Sequence, residues 1–246
     1  MAITKKIPDT IYAANSFCPG CGHGIVIRLI GEVLDEMGMS DKAIGVLAVG
    51  CACLVNRSLA VDLMQAAHGR ATAAAAGIKR TRPANVVFSY QGDGDSISIG
   101  IAETLYSAQR NEKFTQIIVN NGVFGMTGGQ MSPCTLIGQK TATSTAGRAA
   151  EVNGNPVNVM NLLSQFNGVA YLARGSVHDA ANILKTKKYI RKAFEKQLSG
   201  EGYTCVEIIS PCPTNWHMTP EQANTRIADE VLDIYPLGEF VEGGKK

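Results

Sequence analysis

The sequence lacks any apolar run of the ~18 residues that a membrane-spanning helix needs, so no span is expected. Its first stretch, MAITKKIPDTIYAANSF, lacks an apolar core of signal-peptide length, and a cytoplasmic protein is expected. It lacks a surplus of one charge: 23 Lys and Arg against 21 Asp and Glu leave +2, which argues against general affinity for nucleic acid. Internal repeats and linker-like stretches are lacking too. What is there is 246 residues, 45% hydrophobic and 18% charged: one good core, short of two comfortable domains. A single domain over 1–246 is expected, with an N-terminal arm at 1–16 and a tail at 236–246. Seven cysteines, clustered along such a chain, point to metal or redox work rather than to a disulfide framework.

The organising stretch runs from Gln91 to Gly129. Residues 85–90 (NVVFSY) and 115–119 (TQIIV) are β-prone apolar runs, and 96–110 has the apolar face of a helix. Strand, helix and strand in this span make one βαβ unit. Its crossover sets both strands parallel, so the residues after each strand open on one sheet edge. Asp93 and Asn121 should then converge. A carboxylate and an amide oxygen are hard ligands suited to magnesium, which usually shares its octahedron with phosphates. Gly92 and Gly94 let backbone N–H groups approach phosphate oxygens, and the helix opening near Asp95 offers its positive end. Gly92-Asp93-Gly94 alone reads as an ordinary turn. The Asn120-Asn121 pair at the matching place after the next strand favours a Mg-diphosphate site.

Cys18-Pro19-Gly20-Cys21-Gly22-His23 precedes a helical pattern at 24–37, carried by Ile25, Leu29, Ile30, Val33 and Leu34. A thiol pair at a helix N-terminus should have a lowered pKa. It could be a redox dithiol, half a zinc site or half an iron–sulfur site. A buried strand at 44–49 ends in Gly50-Cys51-Ala52-Cys53, a second thiol pair. A [4Fe–4S] cluster takes four thiolates. Cys18 and Cys21 can give two, the 51/53 turn one and Cys212 one, since Cys212 lies in a loop while Cys205 sits inside a strand at 203–209. Four-cysteine zinc is a rival. Cys53 and Cys134 read as small buried residues.

Residues 58–80 look helical, interrupted at His68-Gly69-Arg70. His68 reads as a buried core histidine or a cofactor contact, His23 a little less as the latter, and His178 and His217 as structural or surface residues. The Gly/Ser/Thr-rich segment 125–148 is a long loop of the functional kind. Beyond it, a helix at 159–166, a strand at 168–173 and a helix at 177–198 resume the α/β pattern. The last carries Lys185, Lys187, Lys188, Arg191, Lys192 and Lys196, a solvated basic face or a dock for acidic ferredoxin or coenzyme A phosphates. Thr219-Pro220-Glu221 should cap a helix at 219–234, and the tail should be mobile or reach a partner.

Gly92-Asp93-Gly94 followed by Asn120-Asn121 resembles the motif of thiamine diphosphate enzymes. Four further stretches resemble, in order, the β subunit of 2-oxoacid:ferredoxin oxidoreductases. They are the Cys18–His23 turn, His68-Gly69-Arg70, the run from Phe124 to Pro133 (FGMTGGQMSP) and that from Ser210 to Trp216 (SPCPTNW). The resemblance covers residues 10–220 and implies an α/β thiamine diphosphate-binding fold, a largely parallel central sheet flanked by helices. It implies Mg2+ on Asp93, Asn121 and the Val123 carbonyl, and a [4Fe–4S] cluster on Cys18, Cys21, Cys51 and Cys212. Thiamine diphosphate would lie against Gly50, Cys51, Ala52, His68, Gly92, Gly94, Asp95, Gly125, Met126 and Thr127, with Met126 propping its bent shape.

The implied reaction is oxidative decarboxylation of a 2-oxoacid to acyl-CoA, with electrons passing singly through the cluster to ferredoxin. The implied partners are α, γ and ferredoxin-like δ subunits, ferredoxin, the 2-oxoacid and coenzyme A. The activating glutamate belongs to a partner, so no catalytic acid or base is assigned here. Some relatives carry Lys where this chain has Gly128, which leans the substrate from 2-oxoglutarate toward a branched-chain or other monocarboxylic acid. Lys140 and Arg148 remain as candidate substrate cations. A non-oxidative thiamine-dependent lyase or synthase and a zinc-bound scaffolding subunit are the competing classes.

Overall fold

A computed structural model describes residues 6–243. The strands are β1 (Ala43–Leu47), β2 (Asp62–Gln65), β3 (Val86–Gly92), β4 (Thr115–Asn120), β5 (Val123–Phe124), β6 (Gln130–Met131), β7 (Tyr171–Ser176), β8 (Thr204–Ile209) and β9 (Gly238–Glu242). Seven of them form one sheet in the order β2-β1-β3-β4-β8-β7-β9, and β5 and β6 form a small antiparallel hairpin. Every pairing in the large sheet is parallel except β7 with β9. The helices are α1 (His23–Met37), α2 (Ala71–Thr81), α3 (Ile101–Gln109), α4 (Ala150–Asn153), α5 (Val159–Leu163), α6 (Ala180–Leu198), α7 (Pro213–Trp216), α8 (Pro220–Arg226) and α9 (Leu232–Ile234).

The apolar runs of β3, β4 and β8 are buried along their length, as expected of parallel strands covered on both faces. The expected βαβ unit forms, with β3 and β4 adjacent and parallel. The chain steps from β1 outward to β2 and then returns to the other side of β1 with β3. That reversal opens a crevice beyond the carboxyl ends of the strands, where open α/β sheets bind ligands. Among the described residues no helix is long and apolar enough to cross a membrane.

Several expectations need correction. Residues 58–66 are not helical: Asp62–Gln65 is an edge strand parallel to β1, and the helix begins only at Ala71. Between them Gly69 turns at φ 76°, where a Cβ would lie 2.7–2.9 Å from Ile99 and Gly100 atoms. The strand placed at 168–173 runs at Tyr171–Ser176 instead, because buried partners allow Arg174 and Ser176 inside it. The helix after β3 opens with a π-helical turn, Gly94–Ile99. The tail is tied down: Gly238–Glu242 pairs antiparallel with β7, which gives Phe240 an inner face. Residues 1–5 of the arm and 244–246 of the tail lie outside the described residues.

The basic helix is not simply solvated. Lys187 of α6 is fully buried between Glu32 and Glu36, its Nζ 2.7 Å from each carboxylate. Thr219 caps α8 in a reciprocal pair with Gln222, as its sequence predicts.

Candidate active site

Strands β1, β3, β4 and β8 are neighbours in the sheet, and the loops leaving their carboxyl ends carry Cys51, Asp93, Asn121 and Cys212. The carboxylate of Asp93 is 1% exposed. Ser132 Oγ donates to its Oδ2, and the backbone N–H of Asn121 is aimed at the same group. Oδ1 is buried with no hydrogen-bond partner among the described residues. Burial pushes the Asp93 pKa up to about 7, against the downward pull of Ser132 and Asn121. An isolated buried carboxylate oxygen is costly unless a cation or a proton meets it.

The Asn pair divides its work. Asn121 Oδ1 accepts the Val123 N–H at 3.2 Å, which curls the loop so that Asn121 and Val123 face one cleft edge in front of Asp93. Asn120 donates to Glu207 Oε1 at 2.7 Å, and Glu207 Oε2 accepts from Arg174 Nε at 2.7 Å, with both charged side chains fully buried. Tyr235 and Phe240 flank the guanidinium.

On the other wall, Asp95 Oδ1 accepts from His68 Nδ1 and from the Gly69 N–H at 2.8 Å, and Oδ2 accepts from Gln91 Nε2 at 2.7 Å. Gln91 is held in turn by Thr72 and Gln116. The Asp95 carboxylate thus fixes the protonated Nδ1 tautomer of His68 and leaves Nε2 free. His23 is buried, stacks on Phe17 and meets Tyr90 Oη at 2.7 Å through Nδ1. Burial lowers its pKa to about 4, so the ring is neutral.

Of the expected cofactor contacts, Cys51, Ala52, His68, Gly92, Gly94, Asp95, Gly125, Met126 and Thr127 line one cleft together with Asn121 and Val123. His23, Val49 and Phe124 complete it. Gly50 and Asp93 are not on its wall, and Asp93 lies buried behind it. A Cβ on Gly92 or Gly50 would meet nothing within 4 Å, so both glycines leave open space.

The four cysteines lie within electrostatic reach of one another, and Cys51 is on the cleft wall. Cys212, Cys51 and Cys18 each raise the Cys21 pKa through their charge, and Cys212 and Cys18 raise that of Cys51. The Cys18–Cys21 turn is tied to the Cys212 loop by Gly22 N–H to Pro211 O, 3.3 Å. The lowered thiol pKa expected from the helix N-terminus is not found at Cys21. The His23 N–H does pull Cys21 down, but burial dominates and drives it up to about 12, with Cys51 up to about 11. Among the described residues no group of three or more His, Cys, Asp or Glu is drawn together as a site for a metal ion. Cys134 and Cys205 are buried core residues as expected, while Cys53 is half-buried beside Cys51.

Arg148 is overturned as a substrate cation. It is buried, and its guanidinium donates to the carbonyls of Ser132, Pro133, Thr135, Asn153, Gly154 and Asn155. It staples the long loop shut. Lys140 is exposed and lies on a different hollow, beside His217. Ser132, Glu207, Arg174, Asn215 and Trp216 are site residues that sequence reasoning missed. A charged residue inside an apolar strand, as at Glu207 and Arg174, was the available signal for two of them.

Crevice, glycine cradle and paired Asp–Asn loops define a thiamine diphosphate-binding domain, and residues 48–208 match the family described as thiamine pyrophosphate enzyme, C-terminal TPP binding domain. The ketoisovalerate oxidoreductase subunit VorA of Methanothermobacter marburgensis is 40% identical over 97% of this chain and 53% of its own length. The 2-oxoglutarate synthase subunit KorB of Methanocaldococcus jannaschii is 34% identical over 80% of this chain and 69% of its own. A chain of the 2-oxoglutarate:ferredoxin oxidoreductase from Magnetococcus marinus shares the fold, with TM-score 0.79 and 24% identity over 98% of this chain and 87% of that one. The chain belongs to the 2-oxoacid:ferredoxin oxidoreductase family, among its thiamine diphosphate-binding subunits. It spans about half the length of the VorA relatives.

Proposed function

We propose that this chain supplies the diphosphate half of a thiamine diphosphate site and the four thiolates of a [4Fe–4S] cluster. The complex it serves oxidatively decarboxylates a 2-oxoacid to acyl-CoA and CO2 and reduces ferredoxin. The observation that carries this is the unpartnered, buried Asp93 Oδ1 facing the Asn121 loop. With the Asn121 amide and the Val123 carbonyl, it offers the hard oxygen set that Mg2+ takes when phosphates complete its shell. Cys18, Cys21, Cys51 and Cys212 are the thiolates of the cluster, which needs ligands spread wider than those of a single ion.

Thiamine diphosphate, when bound, supplies the electron sink for decarboxylation. The chain's own residues bind and orient it. Backbone N–H groups around Gly92 and Gly94 hold the diphosphate at the helix start. His68, fixed by Asp95, presents Nε2 to the cleft. Cys51 lies on the cleft wall and within electrostatic reach of the other three thiols, so a cofactor in the cleft and a cluster on these thiols would lie close together.

A branched-chain 2-oxoacid is the favoured substrate. Among the described residues no Lys or Arg lines the cleft, Arg148 is occupied by carbonyls, and identity to the ketoisovalerate subunits exceeds that to the 2-oxoglutarate subunits. The α, γ and δ partners supply the activating glutamate, further clusters and the coenzyme A site. Seven free cysteines support a reducing, cytoplasmic setting.

The test is purification of the complex and of this chain alone, with metal and thiamine analysis and an assay of ferredoxin reduction by 3-methyl-2-oxobutanoate or 2-oxoglutarate with coenzyme A. The complex should carry iron and thiamine and turn over the branched-chain acid faster, and the lone chain should be inert. Thiamine without iron would return a non-oxidative lyase, and zinc without thiamine a scaffold.

A further inference from the structure

Helix α7 follows Cys212 at once, and its last two side chains reach the cofactor loop at two points. Asn215 Nδ2 lies 3.0 Å from Gly125 O and 3.4 Å from Cys212 Sγ. A primary amide has two N–H donors, one for each acceptor. Trp216 Nε1 donates to Asn121 O at 3.1 Å, and the Trp216 N–H donates to Cys212 O at 2.9 Å. Arg226 packs over the indole, 4.7 Å from its centre. The loop closes tightly on this helix: a Cβ on Gly129 would lie 3.0 Å from Asn215 Oδ1.

We propose that Asn215 is a positioning residue that joins the Cys212 sulfur to the cofactor loop at Gly125 and sets the potential of the cluster. This rests on the assignment of Cys212 as a cluster ligand. A thiolate sulfur accepts a charge-assisted hydrogen bond, and such bonds grow stronger as the cluster gains an electron. The reduced state is therefore favoured, and the potential is raised. The same nitrogen anchors Gly125, so the loop that lies against the cofactor is held at a fixed distance from the sulfur. A residue that merely pins the loop would affect stability and substrate KM but leave the potential alone.

The test uses the assembled complex carrying Asn215→Leu, which keeps the volume and removes both donors, and Asn215→Gln, which keeps the amide. The cluster of this chain is the EPR signal that Cys18→Ala abolishes. In Asn215→Leu it should titrate at a lower potential with iron retained. The kcat for ferredoxin reduction should fall about ten-fold, with KM for the 2-oxoacid little changed, and Asn215→Gln should recover part of both losses. An unchanged potential in Asn215→Leu with intact iron overturns the inference. Should Asn215→Leu fail to assemble, wild-type complex labelled with 15N in the asparagine side chains decides. Pulsed EPR of the reduced cluster should show coupling to 15N, and its absence overturns the inference equally. A wild-type complex without the cluster signal instead overturns the assignment of Cys212 beneath it.

Discussion

The backbone N–H of Asn121 points at the buried carboxylate of Asp93, so two loops from neighbouring strands meet at one oxygen pair. Among the described residues only Ser132 makes a full hydrogen bond there, and Oδ1 is left bare. Asp93→Asn removes a charge that the apo fold holds at a penalty. The apo protein should therefore gain about 1–3 kcal/mol, read as a higher midpoint in urea. Thiamine diphosphate affinity with Mg2+ should fall about 100-fold, read by calorimetry on the complex. An Asp93→Asn variant that binds the cofactor as wild type does would remove this carboxylate from the metal site.

Behind the loop, Arg174 and Glu207 hold Asn120 from fully buried positions. Arg174→Met leaves the Glu207 carboxylate buried with Asn120 as its remaining partner. Breaking a buried pair from one side costs about 3–5 kcal/mol. Arg174→Met combined with Glu207→Gln should regain much of that, because no buried charge is left. Denaturant unfolding of the single and double variants checks the order. Loss of cofactor affinity in Arg174→Met should track the displacement of Asn120 rather than any contact with the ligand.

The central βαβ unit and the convergence of its two loops were legible because Asp93 and Asn121 sit in short turns flanked by unambiguous apolar runs. The edge strand Asp62–Gln65 was not, because its Leu-Met-Gln composition suits a helix equally well and an edge position needs no buried run. The strand Tyr171–Ser176 was misplaced for the opposite reason: Arg174 reads as a terminus until Glu207, from another strand, neutralises it. Arg148 looked free because the six carbonyls that satisfy it leave no trace in side-chain identity. The thiol pKa was misjudged at Cys21 because a helix N-terminus is visible in sequence and burial of the turn is not.

Acid sensitivity should come partly from the contact between α1 and α6. Burial pushes the Glu36 carboxyl up, but hydrogen bonds from Lys187 and Arg191 outweigh it, and the pKa ends below its ordinary 4.5. A carboxyl depressed in the fold contributes stability above its unfolded pKa and loses it as pH falls through the folded value. The thermal midpoint should therefore decline as pH drops below about 4.5. Lys187→Met strips Glu36 and buried Glu32 of their shared cation. It should cost about 3 kcal/mol at neutral pH and make the acid decline shallower, as thermal scans across pH can show.

Two glycines of the motif separate ligand space from protein packing. A Cβ on Gly94 would come within 2.4–2.7 Å of the Phe124 ring, so Gly94→Ala must push that ring out of its place. A Cβ on Gly92 would meet no protein atom within 4 Å and would project into the open space of the cleft. Gly94→Ala should thus lower the unfolding midpoint, by about 1–3 kcal/mol for an overpacked contact, and weaken cofactor binding with it. Gly92→Ala should leave the midpoint within about 0.5 kcal/mol while abolishing measurable thiamine diphosphate binding, because the added methyl would occupy the place proposed for the diphosphate. Iron content should be unchanged in Gly92→Ala, since a Cβ there meets no protein atom and the four thiols stand on other loops. Normal cofactor affinity in Gly92→Ala would move the diphosphate away from this turn.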